Sequence, residues 1–63
     1  MSNQQIIEAL TAKYEKAVEA QRNAPSERYA RECGKSIAIL LTLIRGVENN
    51  DRTCIGIAKA AYV

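Results

Sequence analysis

A single proline, Pro25, most constrains how this 63-residue chain can fold. It separates two long segments with helical patterns, residues 3–23 and 27–48. Proline lacks the amide N–H that a helix interior needs, and it disfavours helical geometry in the residue before it. The first helix is therefore expected to end near Asn23, and Ser26 to cap the second. Because the connection is so short, the two are predicted to form an antiparallel helical hairpin.

The first segment has the pattern of an amphipathic helix. Ser2 is expected to cap it, with Gln5 as the reciprocal partner in a capping box. Its apolar residues recur every three or four positions and fall within an arc of about 120°. They are Ile6, Ile7, Leu10, Tyr14, Ala17 and Val18. Glutamates lie on the opposite side, so one face is expected to pack and the other to meet water.

The second segment carries more apolar surface than one neighbouring helix can cover. Its aliphatic residues span an arc of about 200°, whereas a helix packed on one neighbour needs roughly 100°. The first helix is expected to leave Ile39 and Leu43 uncovered. The C-terminal segment, with Ile55, Ile57, Ala58 and Tyr62, can cover part of the remainder, and a second copy of the chain is predicted to bury Ile39 and Leu43. The predicted oligomer interface consists of Ile39, Leu40, Leu43, Val47, Ile57 and Tyr62. A closed monomeric three-helix bundle is the alternative.

The C-terminal segment follows the turn signal ENND, residues 48–51. A short helix over residues 52–61, capped by Asp51 or Thr53, is predicted here. The β-branched stretch TCIGI would also permit a strand, but an isolated strand has nothing to pair with. Tyr62 is expected to anchor this segment. The fold class is therefore all-α, an antiparallel helical hairpin plus a short C-terminal helix in an oligomeric bundle, with residues 1–63 as a single domain.

The composition limits the possible chemistry. There is no histidine, and Cys33 and Cys54 lack the paired spacing of a zinc site, so neither a metal nor a cofactor is expected. The N-terminus lacks the features of a secretory signal, which predicts a cytoplasmic protein with reduced, buried thiols. A disulfide between the two cysteines is the alternative. No apolar run approaches the roughly 18 residues of a membrane span. Because no cysteine or glutamate has an evident catalytic partner, the chain is predicted not to be an enzyme.

The sequence Gly34-Lys35-Ser36 matches the end of a phosphate-binding loop, but Tyr29 stands where that motif requires glycine. A nucleotide-hydrolase loop is therefore not expected. Gly34 instead lies within the second helix. There it is expected either to weaken the helix by about 1 kcal/mol relative to alanine or to let a neighbouring backbone approach closely.

Cationic residues share one face of the second helix: Arg28, Arg31, Lys35 and Arg45, together with Thr42. The guanidinium group of arginine binds phosphate through paired hydrogen bonds, and tyrosine rings offer flat surfaces on which a base can stack. The candidate anion or nucleotide site comprises Arg28, Arg31, Lys35, Tyr14 and Tyr29. The alternatives are a solvated face, or pairing with the acidic side of another subunit, with both tyrosines packed at the edge of the core. A net charge of +2 is too small to predict a nucleic-acid partner by itself.

The stretch APSERYARE, residues 24–32, and the long apolar helix behind it resemble the helical hairpin of phage-encoded cyclic-oligonucleotide sponges. The likeness covers residues 5–47 at most. It implies an oligomer that sequesters a nucleotide signal of bacterial immunity, with the ligand between subunits near Tyr14, Arg28 and Arg31. More generally, the chain resembles small accessory proteins of phages and plasmids.

Taken together, these features predict a small, non-enzymatic, oligomeric helical protein that regulates by binding. A phage or mobile-element accessory protein acting on a host component in the host cytoplasm is the leading hypothesis. A sponge for a cyclic nucleotide immune signal, and thus a factor in evasion of host defence, is one alternative. A weak, dimeric nucleic-acid-binding regulator is the other. No membrane partner is expected.

Overall fold

A computed structural model describes residues 2–62, and these residues form three α-helices and no strand. α1 is Asn3–Arg22, α2 is Glu27–Glu48 and α3 is Arg52–Ala61. The all-α prediction is confirmed, and the strand alternative for the C-terminal segment is wrong. α1 ends one residue before the predicted position.

Side-chain caps fix where each of the first two helices begins. The Ser2 hydroxyl accepts a hydrogen bond from the Gln5 amide at 3.2 Å, and the Gln5 side chain accepts one from the Ser2 amide at 3.0 Å. This is the predicted capping box. Ser26 likewise accepts a hydrogen bond from the Tyr29 amide at 3.2 Å, directly after Pro25 has interrupted the chain.

Two side-chain hydrogen bonds join α1 to α2, one at each end of the pair. Near the end of α1, the Gln21 amide group donates to the Ala30 carbonyl, early in α2, at 3.1 Å. At the other end, Asn3 donates to the side chain of Asn50, just beyond α2, also at 3.1 Å. The start of one helix therefore lies beside the end of the other.

The hydrophobic core receives residues from all three helices. Its fully or nearly fully buried members are Ile6, Leu10, Leu40, Leu43, Val47 and Ala58. Tyr14 and Tyr62 are half-buried against this core, which confirms Tyr62 as an anchor of the C-terminal segment.

The prediction that Leu43 would lie uncovered on α2 is wrong. Its side chain is only 4% exposed, because α3 folds back against α2 and contributes Ala58 to the same cluster. Leu40 and Val47, two other members of the predicted interface, are equally buried within the single chain. Of the predicted interface residues, only Ile39, at 49%, and Ile57, at 46%, keep about half of their surface exposed.

A tight turn reverses the chain between α2 and α3. Asn50 adopts a left-handed conformation with φ of 58°. Its amide donates to the Val47 carbonyl at 3.0 Å, and the next amide donates to the Gly46 carbonyl at 2.8 Å, the bonding pattern of a Schellman motif. The Asp51 carboxylate then accepts from the Thr53 and Cys54 amides at 2.9 and 3.2 Å. Asp51, rather than Thr53, is therefore the cap of α3.

Glycine is required where α3 meets α2. A Cβ atom placed on Gly46 would overlap the Cys54 sulfur and lie 2.5 Å from the Cys54 Cβ, far inside van der Waals contact. Gly34, where a close backbone approach was considered, meets only the tip of the Gln21 side chain, at 3.2 Å. The close helix–helix approach thus lies in the last turn of α2 rather than in its first half.

Candidate functional site: an apolar groove and a cationic face

A shallow groove runs between α2 and α3 on the surface of the molecule, with a volume of about 350 Å³. Four residues of α2 and two of α3 line it: Ala38, Ile39, Thr42, Leu43, Cys54 and Ile57. The groove exists because the glycine at position 46 lets α3 lie close to α2 at one end. Leu43 forms its floor, while Ile39 and Ile57 stand half-exposed on its two walls.

The groove offers an occupant almost no polar partner. Its one hydroxyl, on Thr42, donates to the Ala38 carbonyl one turn earlier in the same helix, at 2.9 Å. None of the residues between 2 and 62 that line it is charged. Because a buried polar group is costly unless it is hydrogen-bonded, this surface favours aliphatic or aromatic side chains.

The cationic residues Arg28, Arg31 and Lys35 lie on the N-terminal side of the groove along α2, and Thr42 belongs to both surfaces. Arg28, Arg31 and Lys35 are all exposed and follow one another at three- and four-residue spacing along one side of the helix. The Lys35 ammonium lies 3.4 Å from the Glu32 carboxylate, and both side chains are largely in solvent. Between residues 2 and 62, neither arginine forms an ion pair within 4 Å. The two guanidinium groups are thus available to an external anion.

The two tyrosines of the candidate anion site do not join the arginines in one chain. Tyr14 belongs to α1 and packs against the core. Tyr29 is 49% exposed, so its predicted packing at the core edge is at most partial. At about 100° per residue, Tyr29 and Arg31 point to nearly opposite sides of α2. Within one chain, Tyr29 and Arg31 therefore do not face the same pocket.

Both cysteines are free thiols and half-buried. Cys54 forms part of the groove and touches the core, whereas Cys33 does neither. Within residues 2–62, no group of three or more cysteine, aspartate or glutamate side chains is placed to hold a metal ion.

The groove could not be predicted from the sequence, because three of the residues that line it belong to no recognisable sequence pattern. Ala38, Thr42 and Cys54 are small side chains whose shared surface depends on how α3 docks. The one usable clue was Gly46 just before a turn signal, since glycine at such a place often permits a close approach.

No protein-family model, no curated protein and no solved structure matches this chain. Of the helices that the structure describes in residues 2–62, none combines the length and the apolar character needed to cross a lipid bilayer.

Proposed function

We propose that this chain is a small, non-enzymatic helical protein that self-associates and regulates a host component by binding it. Its unit is an antiparallel hairpin of α1 and α2 with α3 folded onto the second helix. The hydrogen bonds at the two ends of the hairpin, Gln21 to Ala30 and Asn3 to Asn50, support this arrangement. A role as an accessory protein of a phage or mobile element, acting in the host cytoplasm, draws its support from the resemblance of residues 24–32.

The apolar groove is the observation that carries this proposal. In a chain of 63 residues, large aliphatic side chains are needed inside, because a core this small supplies no more than roughly 3–5 kcal/mol. Ile39 and Ile57 nevertheless remain about half in water, on the two walls of one apolar groove. The two isoleucines therefore offer one shared apolar contact surface to a protein partner.

Native co-purification from bacterial cells tests the binding role. The wild-type chain is compared with Ile39→Glu and with Ala12→Glu, a control at an exposed residue of α1 outside the groove. We expect a protein partner, either a second, differently tagged copy of the chain or a host protein, that is retained by wild type and by Ala12→Glu but lost from Ile39→Glu. Identical sets of co-purifying proteins for all three baits would contradict a binding role for this surface.

The two unpaired arginines at the start of α2 favour a second candidate, a sponge for a cyclic oligonucleotide. Arg28 and Arg31 are exposed, lie one turn apart and have no acidic partner within 4 Å in residues 2–62. Guanidinium groups at this spacing suit a phosphate. With Lys35 and with Tyr14 or Tyr29 of an adjoining subunit, they would form the site between subunits that the sponge resemblance implies.

A thermal-shift panel of cyclic di- and trinucleotides tests the sponge. A ligand at a hundred times its Kd stabilises the folded state by about 2.7 kcal/mol, a large shift for a chain of this size. The shift should disappear in Arg28→Ala and in Arg31→Ala. It should persist in Arg45→Ala, a matched control on the same face about 20 Å along the helix from Arg31. No shift with any nucleotide in the panel would eliminate this candidate.

A further inference from the structure

The geometry points to one occupant for the groove between α2 and α3: the same groove of a second copy of this chain, related by a two-fold axis. This inference rests on the proposed self-association and specifies the surface that performs it. It also revises the interface expected from the sequence, since Leu40, Leu43 and Val47 are already buried within one chain.

The total surface of the chain favours a second copy. The accessible surface is 4509 Å². A compact folded monomer of 7.0 kDa would expose only about 4,000 Å². The excess is more than half of the roughly 800 Å² that each partner contributes to a typical stable interface. An excess of this size corresponds to a small interface rather than a standard one, so it fits a weak dimer that forms only as the concentration rises.

The shape of the groove surface also favours a second copy of the same chain as the partner. In a two-fold interface the same patch serves both subunits, so it must contain both a projection and a hollow that fits it. Here the half-exposed isoleucines, Ile39 and Ile57, stand beside the hollow floored by Leu43. One isoleucine of each copy can enter the hollow of the other.

The chemistry of the groove argues against an anion or a polar peptide as the occupant. Among the described residues that line it, the one hydroxyl is hydrogen-bonded to the Ala38 carbonyl and no side chain is charged. A charged or amide-bearing ligand would lose its hydration there without gaining a partner. The aliphatic side chains of a second copy carry no such cost. An apolar helix from another protein is the competing occupant, and the experiment separates the two.

The test is the mass of the full-length chain in solution, by sedimentation velocity and light scattering from micromolar to near-millimolar concentration. We expect wild type to approach twice the 7.0 kDa of one chain as concentration rises. Ile39→Glu and Ile57→Glu should remain at the mass of one chain with their helical circular dichroism retained. Ala12→Glu, at an exposed residue of α1 outside the groove, should still dimerise like wild type.

If a glutamate variant loses its helical circular dichroism, two further measurements still test whether the groove is the dimer interface. The milder Ile39→Ser and Ile57→Ser variants should dimerise at least about tenfold more weakly than wild type. The melting temperature of wild type should rise with protein concentration, because association stabilises the folded state by mass action.

The outcomes distinguish this inference from the proposed function. If wild type dimerises but both groove variants keep the full dimer mass, the groove is not the interface, whereas self-association stands. If wild type remains at the mass of one chain at the highest concentration, both the inference and the proposed self-association are overturned. A monomer that still loses a bound protein partner in Ile39→Glu would assign the groove to that partner instead.

Discussion

At the scale of single residues, Gly46 determines how α3 meets α2. It adopts ordinary helical geometry, so it is not required there for backbone flexibility. It is required for space, because a methyl group would overlap the Cys54 side chain. Gly56 provides the matched contrast, since it lies inside α3 with no atom within 4 Å of where its Cβ would be.

Alanine at these two glycines should change stability in opposite directions. Gly46→Ala should lower the free energy of unfolding by about 1–2 kcal/mol, because the overlap costs more than the gain in helix propensity. Gly56→Ala should raise it by about 0.5–1 kcal/mol, since alanine restricts the unfolded chain and favours the helix. Urea denaturation followed by circular dichroism measures both. Equal stability of the two variants would show that α3 does not approach α2 at Gly46.

At the scale of helices, the ends of each element were predictable because capping is a local effect. Ser2 with Gln5, and Ser26 after Pro25, act within a few residues of themselves, and each forms the expected hydrogen bonds. The cap of α3 was left between Asp51 and Thr53, because both side chains can accept from an amide two or three residues on. The structure resolves the choice in favour of Asp51.

The packing of helices was less predictable, because it depends on contacts between distant parts of the chain. The 200° apolar arc of α2 correctly indicated that more than one neighbour covers it. Periodicity cannot say on which side a third helix docks, so Leu43 was expected to be free and is instead covered by α3. Arg28 and Arg31 lie on one helix, so periodicity alone predicted that they share a face. The groove has walls from two helices, so it depends on how those helices dock and was not predictable.

Removing the cap of α3 should loosen that helix selectively. α3 has ten residues, too few to be stable without tertiary contacts and a cap. Asp51→Ala removes the acceptor for the Thr53 and Cys54 amides and should cost about 1 kcal/mol of unfolding free energy. Asp51→Asn should retain most of the stability, and Thr53→Ala should have little effect. Faster amide hydrogen exchange confined to residues 52–61 in Asp51→Ala would identify the affected element. A larger loss in Thr53→Ala would reverse the assignment.

At the scale of the whole molecule, the shape follows from unequal helix lengths. The molecule measures 36 × 17 × 17 Å, and the 22 residues of α2 account for about 33 Å of the long dimension. α3 reaches along only about half of α2, so the other half of the rod consists of two helices alone. Tyr29 lies in that half, which is consistent with its 49% exposure.

Apolar packing rather than ion pairing should control the stability of the whole fold. The one ion pair within 4 Å in residues 2–62 is Lys35–Glu32, and both of its side chains are well exposed. Exposed pairs of this kind contribute about 0–0.5 kcal/mol and are screened by salt. Glu32→Gln should therefore leave the melting temperature nearly unchanged at low salt. Sodium chloride up to physiological concentration should likewise shift it very little, and a marked loss in either experiment would reveal an electrostatic contribution that the geometry does not contain.

The close contact between Cys54 and Gly46 gives the molecule a built-in chemical reporter. Because Cys54 is half-buried, its thiol is expected to react slowly with an alkylating reagent in the folded chain and faster once the helix that bears it detaches. The labelling rate of Cys54, read by mass spectrometry of its peptide beside that of Cys33, therefore rises when α3 detaches more often. Detachment of α3 can thus be followed at a cysteine that the natural sequence already contains, without an engineered label.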